Sequence, residues 1–281
     1  MPSSRDAIRA YYDKNTSLFL AFSRADQAEN IHRALWMDGA RSHPEAMNAS
    51  NDLLRAEIET AAPLHARIAD LGCGVGASLL HILPRLQNPQ PAVGLTLSPV
   101  QARLAKRFAQ QARLDEQILF VEGDFTLAPL RDGTFDSVYS VEAVVHAAQP
   151  QHYFREASRL LREGGKLILI DDYLASRPLS RPETRWRNAY MEGWHVPGVI
   201  TVEQAIAFAA ASRLRLTQNR NLTPYLRLRN LPNALAQILL SVGRRLPFKH
   251  PILPSMLGSM ALQQCLHAGI IEYRMLVFVR E

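Results

Sequence analysis

The sequence has only two cysteines in 281 residues, Cys73 and Cys265, and no CxxC pair or Cys/His cluster at ligand spacing. That excludes a disulfide framework and a zinc site, so both are expected to be reduced thiols and no metal site is expected. No apolar run approaches the roughly 18 residues of a membrane-spanning helix. The first residues, Met1-Pro2-Ser3-Ser4-Arg5-Asp6, lack the apolar stretch of a secretion signal, and a cytoplasmic location is expected. Internal repeats, low-complexity tracts and flexible linkers are also missing. Acidic residues are absent between Glu203 and Glu272, where Arg213, Arg215, Arg220, Arg227, Arg229, Arg244, Arg245 and Lys249 all fall. This local basic field suits a phosphorylated substrate, an anionic membrane surface or nucleic acid, or is simply a solvated arginine-rich face.

What is present is a 47% hydrophobic chain, long enough for one large α/β domain. Short apolar runs alternate with helical patterns, which predicts strands over 67–71, 92–95, 118–122, 137–140, 166–170, 214–218 and 273–279, and helices over 77–83, 99–111 and 151–161. Strand and helix repeated in this way imply a parallel sheet covered on both faces. Ser98-Pro99 reads as an N-cap followed by proline at the first helical position, and Gly164-Gly165 as a helix stop leading into a strand. The segments before about 60, from 172 to 200 and from 221 to 271 do not fit the alternation. They are expected to cover the carboxyl ends of the strands, where ligands sit in open α/β sheets.

The richest segment is Asp70-Leu71-Gly72-Cys73-Gly74-Val75-Gly76, a strand ending in an acidic residue and a glycine-rich turn that opens a helix. Glycine lets the backbone turn tightly and approach a ligand that a Cβ would exclude. The spacing is not the G-x-G-x-x-G dinucleotide fingerprint, and the acidic residue precedes the glycines rather than following them.

This motif resembles the first motif of the class I methyltransferases. Three further segments, in order, strengthen the resemblance: Gly94-Leu95-Thr96-Leu97-Ser98-Pro99-Val100-Gln101, Glu122-Gly123-Asp124-Phe125, and Phe135-Asp136-Ser137-Val138-Tyr139-Ser140-Val141-Glu142-Ala143-Val144-Val145-His146. Together they are similar to the tocopherol, sterol and terpenoid C-methyltransferase group, and the similarity runs from about 66 to 171. It implies a doubly wound, mostly parallel seven-stranded Rossmann-like sheet with N-terminal helices and helical cap insertions. The expected organisation is a helical cap over 1–60, a core over 61–220 and 272–281, and a cap insertion over 221–271, in one compact domain.

The resemblance further implies S-adenosylmethionine as cofactor, S-adenosylhomocysteine as product, and a site made of Tyr11, Asp70, Gly72, Cys73, Gly74, Gly76, Thr96, Leu97, Gln101, Gly123, Asp124, Phe125 and Glu142. Thr96 stands where many class I enzymes have an acidic residue for the ribose, a departure that the named group shares. Glu142 is expected to stabilise positive charge on the acceptor or take its proton. His146 is expected to act as base or substrate orienter, and it also reads as a histidine at a helix start. Tyr11-Tyr12-Asp13 resembles the group's N-terminal Tyr-Tyr-Asp. Ile31-His32-Arg33-Ala34-Leu35-Trp36 resembles its I-H-x-G-x-W, with Ala34 in place of glycine. His32, Trp36, Trp186, Trp194 and His195 are candidate substrate contacts.

The implied reaction is methyl transfer to a small, largely apolar acceptor, at carbon of a terpenoid, prenyl diphosphate or prenylated phenol. O- or N-methylation of another metabolite is the alternative. A lipid enzyme touching an anionic membrane through 235–248 is another, and a nucleic-acid substrate is disfavoured because no RNA-binding module is visible. Magnesium enters only if the acceptor is a diphosphate; Asp171-Asp172 reads as an ordinary strand end. Homo-oligomerisation is left open.

Overall fold

The computed structural model describes residues 4–25, 32–37, 39–62, 64–229, 232, 235, 236, 240 and 253–281. Seven strands form one sheet in the order β3-β2-β1-β4-β5-β7-β6. They are β1 (Ile68–Leu71), β2 (Ala92–Thr96), β3 (Ile118–Glu122), β4 (Phe135–Val141), β5 (Leu161–Leu174), β6 (Leu214–Asn221) and β7 (Ile271–Arg280). β1 to β5 pair in parallel, whereas β7 runs antiparallel to both β5 and β6. The helices are α1 (Ser4–Ala25), α2 (His43–Ala61), α3 (Ala77–Ile82), α4 (Pro99–Ala112), α5 (Pro150–Leu160), α6 (Arg181–Gly193), α7 (Val202–Ala210) and α8 (Leu253–His267).

Alternating side chains of the central strands feed two cores, because successive residues of a strand face opposite sides. Ile168 and Ile170 pack with Leu54 and Ile58 of α2, Leu79 of α3 and Tyr190 of α6. Leu167 and Leu169 pack with Tyr153 and Phe154 of α5 and Ala205 of α7. With both faces covered, the strands read as continuous apolar runs rather than as alternating ones.

Local chemistry sets the helix starts. The Ser98 hydroxyl accepts from the Gln101 amide at 3.1 Å, with Pro99 behind it. Ser180/Glu183 and Thr201/Gln204 form reciprocal capping boxes at α6 and α7. α6 and α8 touch backbone to backbone at Gly193, where a Cβ would lie 2.4 Å from the Pro254 carbonyl oxygen.

Two expectations need correction. Gly164-Gly165 does not stop the helix. α5 ends at Leu160, and the glycines lie inside β5 where its register with β4 shifts, Gly164 at φ +72°. The stretch from 172 onward is not all cap. β5 continues to Leu174 because β7 pairs with it there, Asp172 opposite Tyr273 and Leu174 opposite Ile271. Helix α7, which covers the sheet between β5 and β6, gave no sequence expectation. The segment 235–248, read as a membrane contact, lies almost wholly outside the described residues. No helix among the described residues is long and apolar enough to cross a membrane.

Candidate active site

The strand order reverses at β1: the chain runs outward through β2 and β3, then returns to β4 on the other flank. Such a switch point opens a crevice at the carboxyl ends of the strands. A cavity of about 790 Å³ lies there.

At one end stands the glycine turn. Gly72 has φ +98°, and a Cβ on it would sit 2.5 Å from the Ala143 Cβ. Gly74, at φ +55°, lines the cavity, and its nearest neighbour to an added Cβ is the Gln101 amide nitrogen at 4.0 Å. A side chain there would fill space that the backbone leaves open to a ligand. Gly76 and Cys73 are not in the wall. A Cβ on Gly76 would strike the Phe120 ring at 2.5 Å, so this glycine serves the packing of α3, and burial pushes the Cys73 thiol well up, leaving it un-ionised. Asp70 is buried beneath the turn, also outside the wall. Burial pushes its carboxyl up to about 8, opposed by the hydrogen bond with Tyr139.

The end of β2 supplies Thr96 and Leu97 to the wall, and the first turn of α4 supplies Gln101. The Thr96 hydroxyl donates to the Gln101 carbonyl oxygen at 2.8 Å, which leaves the Gln101 amide group to face the glycine turn. Ser98 beside them donates to Asp13 of α1 at 2.5 Å. The end of β3 supplies Asp124 and Phe125. The Asp124 carboxylate accepts from the Thr126 amide at 2.8 Å and hydroxyl at 2.7 Å, and pairs with Arg5 of α1 at 3.3 Å. Gly123 lies behind, against Leu95. With Gly72 and Gly74, this set offers a backbone cradle, an amide and a carboxylate, which fits a nucleoside carrying an amino acid tail.

The other end holds Glu142 and His146, directly after β4. Glu142 has φ +51°, in the left-handed region that a residue with a side chain occupies at a cost of about 1 kcal/mol. Its Oε1 accepts from the Arg33 amide at 3.0 Å and the Tyr273 hydroxyl at 2.8 Å. Burial alone would raise its pKa, but the Arg33 charge, His32 and these donors hold it below the ordinary carboxylate range. His146 is the opposite case, since burial pushes it down to about 4 and keeps the ring neutral. Its Nε2 lies 2.8 Å from the Tyr12 hydroxyl. Burial raises the Tyr12 phenol, so the pair is an uncharged hydrogen-bonded unit.

The structure distributes the remaining candidates unevenly. Tyr11 faces away from the cavity: its hydroxyl is 2.8 Å from Ser255 of α8, and its ring lies against His195. The next residue, Tyr12, forms the wall instead, because adjacent helical positions point about 100° apart. His32 lines the cavity with Nε2 3.0 Å from the Ser78 hydroxyl, and Trp194 lines it as well. Trp36 also lines it, with the Arg227 guanidinium 3.2 Å from its ring centroid. Trp186 is buried in the core between α6 and its neighbours, and His195 packs on Tyr11, so neither is in the wall. Among the described arginines of the basic interval, Arg227 reaches the cavity; Arg215 pairs with Glu281 on the surface. Asp171 and Asp172 are not a free pair either. Asp172 is bound by Arg33 at 2.6 and 2.8 Å and by the Tyr190 hydroxyl at 2.8 Å. No cluster of three metal-ligating side chains occurs among the described residues.

Arg33, Asp172, Tyr190 and Tyr273 were not among the residues that the sequence assigned to a methyl-transfer site; Asp172 read as an ordinary strand end and Tyr273 as the start of the last strand. Arg33 sits inside the His32 to Trp36 segment that did attract attention, but its partners lie more than 100 residues away.

Comparison with known proteins bears on the domain that carries this cavity. Residues 69–169 match the family model described as "Methyltransferase domain". The chain is 32% identical over 152 residues to 27-O-demethylrifamycin SV methyltransferase of Amycolatopsis mediterranei, covering 53% of this chain and 54% of that protein. It is 31% identical over 166 residues to 24-methylenesterol C-methyltransferase 2 of Oryza sativa subsp. japonica, covering 59% and 44%. The chain thus spans about half the length of these curated relatives. A solved geranyl diphosphate methyltransferase, in complex with GPP and sinefungin, superposes with a TM-score of 0.77 at 17% identity, covering 100% of both chains. The sheet and its flanking helices have the methyltransferase fold.

Proposed function

We propose that this chain, whose residues 69–169 match the methyltransferase domain model, transfers a methyl group from S-adenosylmethionine to carbon of a small, largely apolar acceptor of terpenoid type. One observation carries the reading. A single cavity brings the glycine turn and the Glu142, Tyr12 and His146 group to a common space. Methyl transfer needs little more than donor and acceptor held in line and water kept out. The sterol C-methyltransferase and geranyl diphosphate methyltransferase similarities support a terpenoid acceptor.

In this reading the backbone at Gly72 and Gly74, the Gln101 amide and the Asp124 carboxylate hold the cofactor, which supplies an electrophilic methyl on a sulfonium. The partly buried Glu142 carboxylate faces the acceptor and offsets positive charge that develops on it. His146, kept neutral, accepts a proton directly or through Tyr12; both side chains line the cavity and are hydrogen-bonded to each other. Leu226, Leu228, Leu262 and Leu266 shape the apolar part of the wall. O-methylation of a small metabolite is the second reading, favoured by the neutral imidazole. Magnesium enters with a diphosphate acceptor, which would bring its own oxygen ligands.

The test is transfer of labelled methyl from S-adenosylmethionine by the purified protein into a host-cell extract split into organic, aqueous small-molecule and nucleic-acid fractions. Label in the organic fraction is expected. Label confined to nucleic acid contradicts the acceptor class, and no transfer combined with no cofactor binding contradicts the reaction.

A further inference from the structure

The cavity floor carries a charge arrangement that methyl transfer in general does not require. Arg33 donates two hydrogen bonds to Asp172, at 2.6 and 2.8 Å, and its Nε lies 3.5 Å from the Glu142 carboxylate. Its guanidinium lies 4.3 Å from the Tyr273 ring centroid. The Tyr273 hydroxyl donates to Glu142 and the Tyr190 hydroxyl to Asp172, each at 2.8 Å. Arg33, Glu142, Asp172 and Tyr190 all border the cavity.

We propose that Arg33 is a positioning residue that locks Glu142 as a permanent anion, leaving a floor of one guanidinium against two carboxylates that selects acceptors whose reacting atom becomes positively charged. This rests on the methyl-transfer reading and narrows it. An alkene carbon or a tertiary amine gains positive charge when it takes a methyl cation. A phenol or a carboxylic acid instead must first lose a proton, which an excess of buried negative charge opposes. The inference therefore favours the carbon reading, or nitrogen, over O-methylation.

The groups facing Glu142 account for its state. Arg33 and His32 come from the segment before α2, Tyr12 from α1, Tyr273 from β7, Asp171 and Asp172 from β5, and His146 from the turn after β4. Only Arg33 is a fixed cation among them. Burial lowers the pKa of His32 and His146, so neither imidazole replaces it, and burial together with Asp172 pushes Asp171 up to about 7. Loss of the Arg33 guanidinium leaves the backbone amide of residue 33 and the Tyr273 hydroxyl as the hydrogen-bond donors to Glu142 that oppose burial, and the proton affinity of the carboxylate rises. The left-handed backbone at Glu142, φ +51°, fixes where that anion points.

The experiment titrates the full chain, with and without S-adenosylhomocysteine, with three probes of equal length: N,N-dimethyldodecylamine, 1-dodecanol and dodecanoate. The wild type is expected to bind the ammonium at least about tenfold more tightly than the alcohol, with dodecanoate weakest, and to keep that order from about pH 7.5 to about pH 5.5. Glu142→Gln is expected to bring the amine down to the level of the alcohol. In Arg33→Met the amine preference is expected to shrink as the pH falls over that range, and Arg33→Lys is expected to flatten the profile again. Should Arg33→Met fail to fold, Tyr273→Phe removes one donor from Glu142 and is expected to shift the profile in the same direction by less. Equal binding of amine and alcohol by the wild type overturns the inference, as does a flat profile in the folded Arg33→Met or, failing that, in Tyr273→Phe. Binding of S-adenosylhomocysteine, read in its own titration, decides the cofactor assignment separately.

Discussion

Replacing Gly72 by alanine separates the two reasons for a glycine in the cofactor turn. The residue sits at φ +98°, and the added methyl would meet the Ala143 Cβ at 2.5 Å. The positive φ costs roughly 1–2 kcal/mol for a residue with a side chain, and the overlap in a packed site costs about 1–3 kcal/mol. Against this, alanine lowers the entropy of the unfolded chain by about 0.4–1 kcal/mol. The net expectation is about 2–4 kcal/mol of destabilisation, or roughly 3–7 °C in Tm for a domain of this size. Two controls isolate the contributions. Gly133→Ala has φ +59° with nothing within 4 Å, and Gly94→Ala has no positive φ but meets the Phe120 ring at 2.7 Å. The assays are thermal melts and calorimetric titration with S-adenosylhomocysteine. Gly72→Ala is expected to lower Tm more than either control and to weaken binding by more than about tenfold, since the methyl displaces the turn proposed to hold the cofactor. If Gly72→Ala melts and binds like the wild type, the cradle reasoning is wrong.

Other expected outcomes follow from the same geometry. Tyr12→Phe removes the hydroxyl 2.8 Å from His146 Nε2 and is expected to lower kcat by about 2–10-fold, the worth of one hydrogen bond, with cofactor affinity unchanged by calorimetry. His146→Ala is expected to lower kcat more than Tyr12→Phe does; because the ring titrates at about 4, the activity of the wild type attributable to this base should hold from pH 7 down to about 5. For stability the sign is as follows: the unfolded chain binds the His146 proton near pH 6.5 and the folded protein only near 4, so this residue's contribution declines as pH falls through that window and then levels off. Asp70 acts in the opposite direction. Its folded carboxyl keeps its proton up to about pH 8 while the unfolded one releases it near 3.8, so stability is lost as pH rises between them. Asp70→Asn is therefore expected to raise Tm relative to the wild type more at pH 9 than at pH 5, by differential scanning calorimetry.

The part of the cavity wall proposed to hold the cofactor was legible in the sequence because its chemistry is local. A turn that must approach a ligand needs glycines at fixed spacing, and a helix start after a strand needs a cap such as Ser98-Pro99. The glycine turn, Thr96, Leu97, Gln101, Asp124 and Phe125 all fall along the strand ends that the apolar pattern located. What the sequence did not reveal depends on distance. Arg33 meets Asp172 across 139 residues and Glu142 across 109, and nothing in a one-dimensional pattern pairs them. The choice between Tyr11 and Tyr12 depended on the rotation of α1, which its docking on Ser255 of α8 sets. β5 outran its apolar run because β7, a partner 100 residues downstream, continues the pairing through Asp171 and Asp172. Trp186 looked like a pocket residue in a proline-rich stretch, but α6 turns it into the core.

The most direct test of the central claim follows the methyl group itself. The purified chain is incubated with S-adenosylmethionine carrying a trideuterated methyl and with an organic-soluble metabolite extract, and products are read by mass spectrometry alongside S-adenosylhomocysteine. The account predicts stoichiometric S-adenosylhomocysteine and a new apolar product bearing the labelled methyl on carbon. Binding of the cofactor with no labelled product and no S-adenosylhomocysteine in any fraction would contradict it.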